Sequence, residues 1–242
     1  MAIFDRIKFD GANNNEPWLV YKAGLENITL GSQLIVGMGQ EAIFVKGGRA
    51  QDIFTPGTYT LHTGNLPMLK NLVGKAFGGN TPFAAEVIFI NTTDNLTVKW
   101  GTPAPINTRD STGLVLELCA RGNFAVKIDD AKKFINKLIG TIHLNSGFNH
   151  DSDMIWNKFN PLINTTFSSQ LIQLMTQRNI SFLEIAAYYD ELSQITFNLI
   201  KQNFKDSGLE LVNFFVESVS PPPSDIKDFK EGHKKRVFGE ES

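Results

Sequence analysis

A group of small residues directly after a strand-like run has the spacing of a dinucleotide-binding turn. Gly37, Gly39 and Ala42 occupy the small positions of a G-x-G-x-x-A motif that follows residues 34–36. In such a site a helix begins at the glycines, and its N-terminus binds the pyrophosphate. An acidic residue is also expected about 20 positions further on, and the nearest one here is Asp52. The motif is therefore incomplete as a nucleotide site.

The residues after the motif favour a strand over a helix. Residues 43–45 are Ile-Phe-Val, and β-branched and aromatic side chains favour extended backbone. Gly47 and Gly48 then leave too little length for a helix. We therefore predict strands at Gln33–Val36 and residues 42–45, with no helix beginning at Gly39.

No nucleophile, metal set or cofactor motif can be recognised in the chain. Cys119 is the only cysteine, and it falls in a predicted strand with no histidine near it in sequence. We interpret it as a structural thiol, because reactive thiols need an electropositive setting. The four histidines lack the spacing of zinc ligands. We predict no catalytic residue, no cofactor and no metal ion. The histidines are His62, His143, His150 and His233.

One group of polar residues favours an alternative hypothesis, in which the chain has a binding or catalytic pocket. Arg109 and Asp110 are adjacent, and with Arg121 they would line a polar pocket for a small ligand or a substrate. An ion pair at the surface or between strands is the simpler interpretation. A concave site with convergent polar groups would distinguish the two.

Composition excludes several classes of function. The 242 residues carry a net charge of −2 and no basic stripe, which argues against nucleic-acid binding. No apolar run reaches the roughly 20 residues of a membrane span. If helical, the N-terminal segment places Ile3, Phe4 and Ile7 near one face. With Trp18 these are candidate contacts with a membrane or a partner, and a docked terminal segment is the alternative.

Hydrophobic periodicity divides the chain into four parts and predicts an α+β fold. Residues 1–26 form an N-terminal extension, and residues 27–128 form a β-rich subdomain. Residues 129–222 form a smaller α/β subdomain with three to four helices and a closing strand. Three consecutive prolines end that strand, and residues 223–242 form a charged tail or the start of a helix.

Within these parts, several elements have clear signals. We predict a hairpin from strands at residues 85–91 and 96–100, and a helix capped by Asp129 or Asp130. Phe214 and Phe215 point to opposite faces of the closing strand. One of them should therefore lie in the core, and both are candidate interface residues until the structure decides which. Further strands are predicted at 114–120, 122–128 and 209–219, and helices at 152–177, 182–187 and 190–207, with a break or kink at Pro161.

Taken in order, six segments resemble the SPFH or Band 7 superfamily, which includes stomatin, prohibitin and flotillin. Together they extend over residues 28–222, and the similarity is greatest to a bacterial branch labelled virion-core-protein-like. Each segment alone is weak, but their order and spacing are specific. They are GSQLIVGMGQEAIFVKGG (31–48), FTPGTYTLHTGNLP (54–67), FGGNTPFAAEVIFIN (77–91), KWGTPAPI (99–106), ARGNFAVKIDDAKKF (120–134) and LELVNFFVESVSPP (209–222).

The resemblance implies an SPFH-like fold and a non-enzymatic scaffold. Such a scaffold would form homo-oligomers in its full-length form and recruit partner proteins at a membrane surface, with no catalytic residues. It would be cytoplasmic and peripheral at the inner face of the cell membrane, reaching the membrane through partner proteins. A small-ligand-binding protein or enzyme, and a phage or viral structural protein, are the alternatives.

Overall fold

The computed structural model shows an α+β fold with a β-rich N-terminal part followed by helices, as the sequence predicts. Strands dominate up to Ile128, and the long helices follow. The predicted strands at Gln33–Val36 and residues 42–45 are confirmed, and no helix begins at Gly39. The structure describes residues 5–11, 17–24, 27–47, 49–68, 83–111, 113–138, 147–148 and 151–222.

The described elements alternate between short strands and a few long ones. The strands are β1 (Arg6–Lys8), β2 (Val20–Lys22), β3 (Asn27–Ile28), β4 (Gln33–Val36), β5 (Gln40–Lys46), β6 (Arg49–Phe54), β7 (Gly57–Thr60), β8 (Phe83–Ala84), β9 (Glu86–Asn91), β10 (Leu96–Gly101), β11 (Ile106–Arg109), β12 (Val115–Ile128), β13 (Gly147–Phe148) and β14 (Leu209–Ser220). The helices are α1 (Ala131–Lys137), α2 (Asp151–Gln177), a 3-10 helix (Phe182–Tyr188) and α3 (Tyr189–Asp206).

The chain divides into two compact units, each assembled from three separate parts of the sequence. The contiguous boundaries that we predict near residues 26, 128 and 222 follow the change in hydrophobic period, and they stay a prediction. The first unit comprises Met1–Leu96, Val126–Met154 and Gln202–Val212, and the second comprises Thr97–Ala125, Ile155–Lys201 and Asn213–Ser242.

The first unit is built around an antiparallel five-stranded sheet in the order β13-β2-β9-β5-β6. A second sheet has the order β1-β4-β7, with β1 parallel to β4. Leu34, Phe44 and Phe89 belong to the same fully buried core cluster. Full burial of such a side chain stabilises the fold by about 1.5–3 kcal/mol. Residues from β4, β5 and β9 therefore pack into the same core cluster of this unit.

The predicted hairpin between β9 and β10 is wrong, although both strands exist. Strand β9 lies between β2 and β5, whereas β10 pairs with β12 in a different sheet. At the end of β9 the Asn91 side chain accepts hydrogen bonds from the backbone N–H of Thr93 and of Asp94, both at 3.0 Å. This Asx turn favours a turn of the chain but leaves open which strand each arm pairs with.

The second unit contains a sheet in which β12 pairs with β10, β11 and β14. We predicted two strands separated at Arg121 and Gly122, but the structure has one strand of 14 residues. A Cβ atom at Gly122 would lie 1.9 Å from the carbonyl oxygen of Phe215 and 2.7 Å from Nε1 of Trp100. The glycine therefore permits a close approach between strands and does not mark a turn.

The helices begin and end largely where the sequence predicts. Asp130 caps α1, because its Oδ1 accepts a hydrogen bond of 2.8 Å from the backbone N–H of Lys133. Gly208, with φ +81°, follows α3 in the left-handed conformation that is typical of a helix end. Of the break or kink expected at Pro161, the break is absent, since α2 runs through that residue as one helix. The helical spacing of apolar residues in α3 predicts that Leu199 faces inward, but its side chain is 52% exposed.

Two side chains of α3 hold the backbone of the closing strand β14. Ser193 Oγ accepts a hydrogen bond of 2.9 Å from the N–H of Val216 and donates one of 2.7 Å to its own helix, at Tyr189 O. The hydroxyl of Tyr189 accepts a bond of 2.9 Å from the N–H of Val219. Helix side chains therefore satisfy two backbone donors of β14, which a neighbouring strand would otherwise satisfy.

Candidate functional site

The turn between β4 and β5 satisfies its own backbone groups. Gln40 N–H donates to Gly37 O at 3.2 Å, and Gln40 Oε1 accepts from Gly37 N–H at 3.3 Å. Gly39 has φ +72°, and a Cβ there would lie 2.7 Å from Thr93 Oγ1. Its carbonyl accepts from both the N–H and the hydroxyl of Thr92. The glycines thus serve a tight turn, and the nucleotide interpretation has no support in this geometry.

A cleft lies beside this turn, entirely within the first unit. Its volume is about 460 Å3, and its lining combines the start of β5 with the end of β12 and the first turn of α1. Two motifs that carry the family resemblance therefore meet here, around Glu41 and around Asp130. The lining residues are Glu41, Ile53, Thr92, Lys127, Ile128, Asp129, Asp130, Ala131 and Lys132.

Two of the charged groups of the cleft take part in local structure. Asp130 caps α1, and Lys127 forms an ion pair of 2.9 Å with Glu210. Burial raises the pKa of the Glu41 carboxyl above its ordinary value, and the negative charge of Asp130 raises it further. Across the described residues, no three side chains are grouped as metal ligands would be. The cleft is a mixed-charge recess in which Asp130 and Lys127 take part in local structure.

The structure does not bring together the predicted pocket residues Arg109, Asp110 and Arg121. Asp110 is buried, and its Oδ1 accepts a hydrogen bond of 2.6 Å from Phe182 N–H at the start of the 3-10 helix. Both arginines are exposed. Arg109 pairs in register with Val115 of β12, so Arg121 lies six residues further along, about 20 Å away. These three side chains therefore form no common site.

The candidate contacts near the N-terminus are placed differently from our expectation. Ile3 and Phe4 lie outside the described residues. Ile7 belongs to β1, which is a strand where we considered a helix, and its side chain is buried. Trp18 is also buried, with its ring 4.8 Å from that of Phe9 in an edge-to-face arrangement. The prediction that Ile7 and Trp18 contact a membrane or partner is wrong, because the core of the first unit holds both.

The two candidate interface residues of the closing strand lie on opposite faces, as predicted. Phe214 is buried and stacks on Trp100 with ring centroids 5.0 Å apart. Trp100 Nε1 also donates a 3.0 Å hydrogen bond to Phe215 O. The Phe215 side chain is 49% exposed. Phe214 therefore belongs to the core of the second unit, and Phe215 remains a candidate for an interface.

Phe215 is part of a continuous exposed face of the second unit's sheet, here called the outer sheet face. Asn123 Nδ2 donates to Glu217 Oε1 at 2.6 Å, which places the odd-numbered residues of β12 on the same side as Phe215. Val115 at the other end of β12 is 68% exposed. The outer sheet face comprises Lys99, Asn107, Arg109, Val115, Glu117, Cys119, Arg121, Asn123, Phe215 and Glu217.

Sequence reasoning recognised only part of this face. The alternation of Val115, Glu117 and Cys119 against leucines predicts a half-buried strand. That alternation continues to Arg121 and beyond, because Gly122 does not end the strand. The alternation within each strand places Val115 and Phe215 opposite the buried residues, but assigning both to one face requires the pairing of β12 with β14.

Comparisons with known proteins give two findings. A model of the SPFH domain-Band 7 family matches residues 20–237. The chain is also 36% identical, over 125 residues, to the uncharacterized protein YdjI of Bacillus subtilis (strain 168). That alignment covers 50% of this chain and 38% of YdjI, so the match extends over well under half of that relative. Among the described residues, no helix is long and apolar enough to cross a membrane.

Proposed function

Because this chain belongs to the SPFH domain-Band 7 family, we propose that it is a non-enzymatic scaffold that self-associates and recruits partner proteins. We propose that it acts at the inner face of the cell membrane, which it reaches through those partners. The bacterial virion-core-protein-like branch stays a prediction within this family.

The observation that carries the proposal is the outer sheet face. One side of this sheet is packed, since Trp100 contacts Phe167 of α2 and Phe214 of β14. The opposite side leaves Val115 and Phe215 exposed. Aromatic and β-branched side chains on an exposed sheet face are typical of surfaces that become buried on association. A scaffold needs such a surface.

The non-enzymatic part of the proposal is supported by the roles of the polar side chains. Asp110 holds the start of the 3-10 helix, and Asp130 holds the start of α1. Each of these carboxylates therefore has a structural role at the start of a helix. The pocket around Arg109 and Arg121 loses its basis, because Arg109 of β11 lies level with Val115, six residues before Arg121 on β12.

Self-association is tested by measuring molar mass across a wide concentration range. We expect the mass from sedimentation equilibrium of the full chain to rise with concentration, as it does for a reversible assembly. A constant monomer mass up to the highest attainable concentration would contradict the assembly part of the proposal.

Recruitment through partner proteins is tested by co-sedimentation with three kinds of membrane. The first is native membrane, the second is native membrane treated with protease, and the third is a protein-free vesicle made from the extracted lipids. We expect binding to the first alone. Equal binding to the lipid vesicles would show direct lipid attachment and would overturn the partner route.

A further inference from the structure

We propose that the outer sheet face is a self-association surface on which a second copy of this chain packs face to face, with a two-fold axis beside Cys119. This inference rests on the proposed function, because it names the surface and the partner that self-association uses. The order of charges along β12 and the strands that flank it support this arrangement.

Two opposite charges on β12 are placed symmetrically about Cys119. Glu117 precedes it by two residues and Arg121 follows it by two, so all three share the outer sheet face. Along a strand, Glu117 and Arg121 are about 13 Å apart, which is too far for an ion pair within one chain. Within the described part of the chain, neither of these two side chains has an ion pair.

A two-fold axis beside Cys119, perpendicular to β12 and parallel to the sheet, makes these charges complementary. It turns the second copy so that the two β12 strands face each other in opposite directions. Arg121 of each copy then faces Glu117 of the other, which gives two equal ion pairs across sheets packed about 10 Å apart. Each copy thus supplies the opposite charge that Glu117 and Arg121 cannot reach within their own chain.

The same operation brings together the exposed apolar side chains. Val115 lies four residues before Cys119, so it faces the position four residues after it, Asn123, in the other copy. Strand β14 runs beside that position, since Asn123 contacts Glu217 and the Cβ position of Gly122 lies 1.9 Å from Phe215 O. Val115 of one copy therefore packs near Phe215 of the other, and both lose their exposure.

The geometry also predicts one unfavourable contact, which makes the test sharper. Thr102 N–H donates to Ala120 O at 2.9 Å, so Lys99 of the antiparallel β10 lies level with Asn123. Arg109 lies level with Val115. In the two-fold arrangement Lys99 of one copy thus faces Arg109 of the other, and like charges weaken the contact.

The main experiment measures the self-association constant of the full chain for charge variants. We expect Glu117→Arg and Arg121→Glu each to weaken association about tenfold or more, because each places two like charges face to face. The double variant E117R/R121E should return to within about threefold of the original chain, since it restores both pairs in reverse. Lys99→Gln should strengthen association.

Control variants separate this surface from general effects of charge and hydrophobicity. Glu184→Arg changes an exposed acidic residue of the 3-10 helix and should leave association unchanged. Phe215→Ser should weaken association, whereas Leu199→Ser, which replaces a similarly exposed side chain of α3, should not. Matching unfolding midpoints would show that the variants remain folded.

The single cysteine supplies an independent measurement. A bifunctional maleimide that spans about 10 Å should link two chains through Cys119 when the chain is associated, and the E117R single variant should lose most of this product. The chain has one cysteine, so the product identifies its position.

The outcomes distinguish failure of this inference from failure of the proposed function. If the chain associates but the charge variants, the swap and the Cys119 link show no effect, the inference is overturned and the scaffold proposal stands. If the chain stays monomeric, both fail. If the variants lose binding to native membranes while self-association is unchanged, the face binds a partner protein, and the second copy is excluded there.

Discussion

The cleft of the first unit and the outer sheet face of the second unit both carry charged residues, but they use them differently. In the cleft, Asp130 caps α1 and Lys127 pairs with Glu210. On the outer sheet face, Glu117 and Arg121 have no ion pair in the described part of the chain. Charges committed to local structure stabilise the fold, whereas exposed charges beside apolar side chains are available to another molecule. A recess is therefore not the better functional candidate merely because it is concave.

The largest effect is expected from blocking the close approach of β14 to β12 at Gly122. Gly122→Ala places a Cβ 1.9 Å from Phe215 O, so β12 and β14 must separate. We expect a loss of about 3 kcal/mol or more in the free energy of unfolding, measured by urea denaturation. Gly101→Ala is the matched control, because its Cβ would meet the nearest atom, Ala120 O, at 3.5 Å. Equal losses in both variants would contradict this explanation.

A smaller effect is expected at the contact between α3 and β14. Ser193→Ala leaves the buried N–H of Val216 without its acceptor, which should cost about 1–3 kcal/mol of unfolding free energy. Ser207→Ala removes only an exposed 3.3 Å bond to Asn203 O and should change stability little. Thermal unfolding of both variants compares them directly. A Ser193 variant as stable as the original chain would show that Val216 N–H finds another acceptor.

Substitution of Asp130 tests whether this charged residue of the cleft serves as the cap of α1. Asp130→Ala removes the acceptor of Lys133 N–H and should destabilise the chain by about 1 kcal/mol. Asp130→Asn keeps a side-chain oxygen in the same place, so it should retain most of that stability. Urea denaturation of the two variants separates the cap from the charge. If alanine were as good as asparagine, the cleft carboxylate would be free for another role.

The smallest effect is expected from Glu41, and it depends on pH. The pKa of Glu41 is raised in the folded chain by burial and by Asp130, so the folded chain holds its proton more tightly than the unfolded chain. Stability is therefore lost as pH rises from the ordinary glutamate pKa through the raised value. Glu41→Gln should remove this decline and give a small gain at neutral pH, seen in unfolding free energies between pH 4 and pH 8. A Glu41→Gln variant whose pH profile matches the original would exclude the effect.

The sequence predicted correctly those elements that depend on residues close to one another in the chain. The turn at Gly39, the cap at Asp130 and the closing strand each depend on residues a few positions apart, and the structure confirms them. The family predicted from six ordered segments is also confirmed. The turn, the cap and the closing strand each depend on short-range signals, so periodicity and turn chemistry were sufficient to find them, whereas the family was found by resemblance.

The remaining features depend on residues that are distant in sequence. The bond from Trp100 to Phe215 joins positions 115 residues apart, and it explains why Gly122 lies within a strand. The burial of Ile7 follows from parallel pairing of β1 with β4, which no neighbouring residue of β1 indicates. The outer sheet face likewise emerges only when β14 is placed beside β12. Long-range pairing, which one sequence does not encode locally, separates these features from the ones we predicted.

The two hydroxyl groups of α3 give β14 an unusual property for a strand. The amide protons of Val216 and Val219 are bonded to Ser193 and Tyr189, which belong to a helix. Their rates of exchange with deuterated solvent therefore report the undocking of α3, while neighbouring amides of β14 that bond to β12 report the opening of the sheet. A single strand thus records two separate opening events in one exchange experiment.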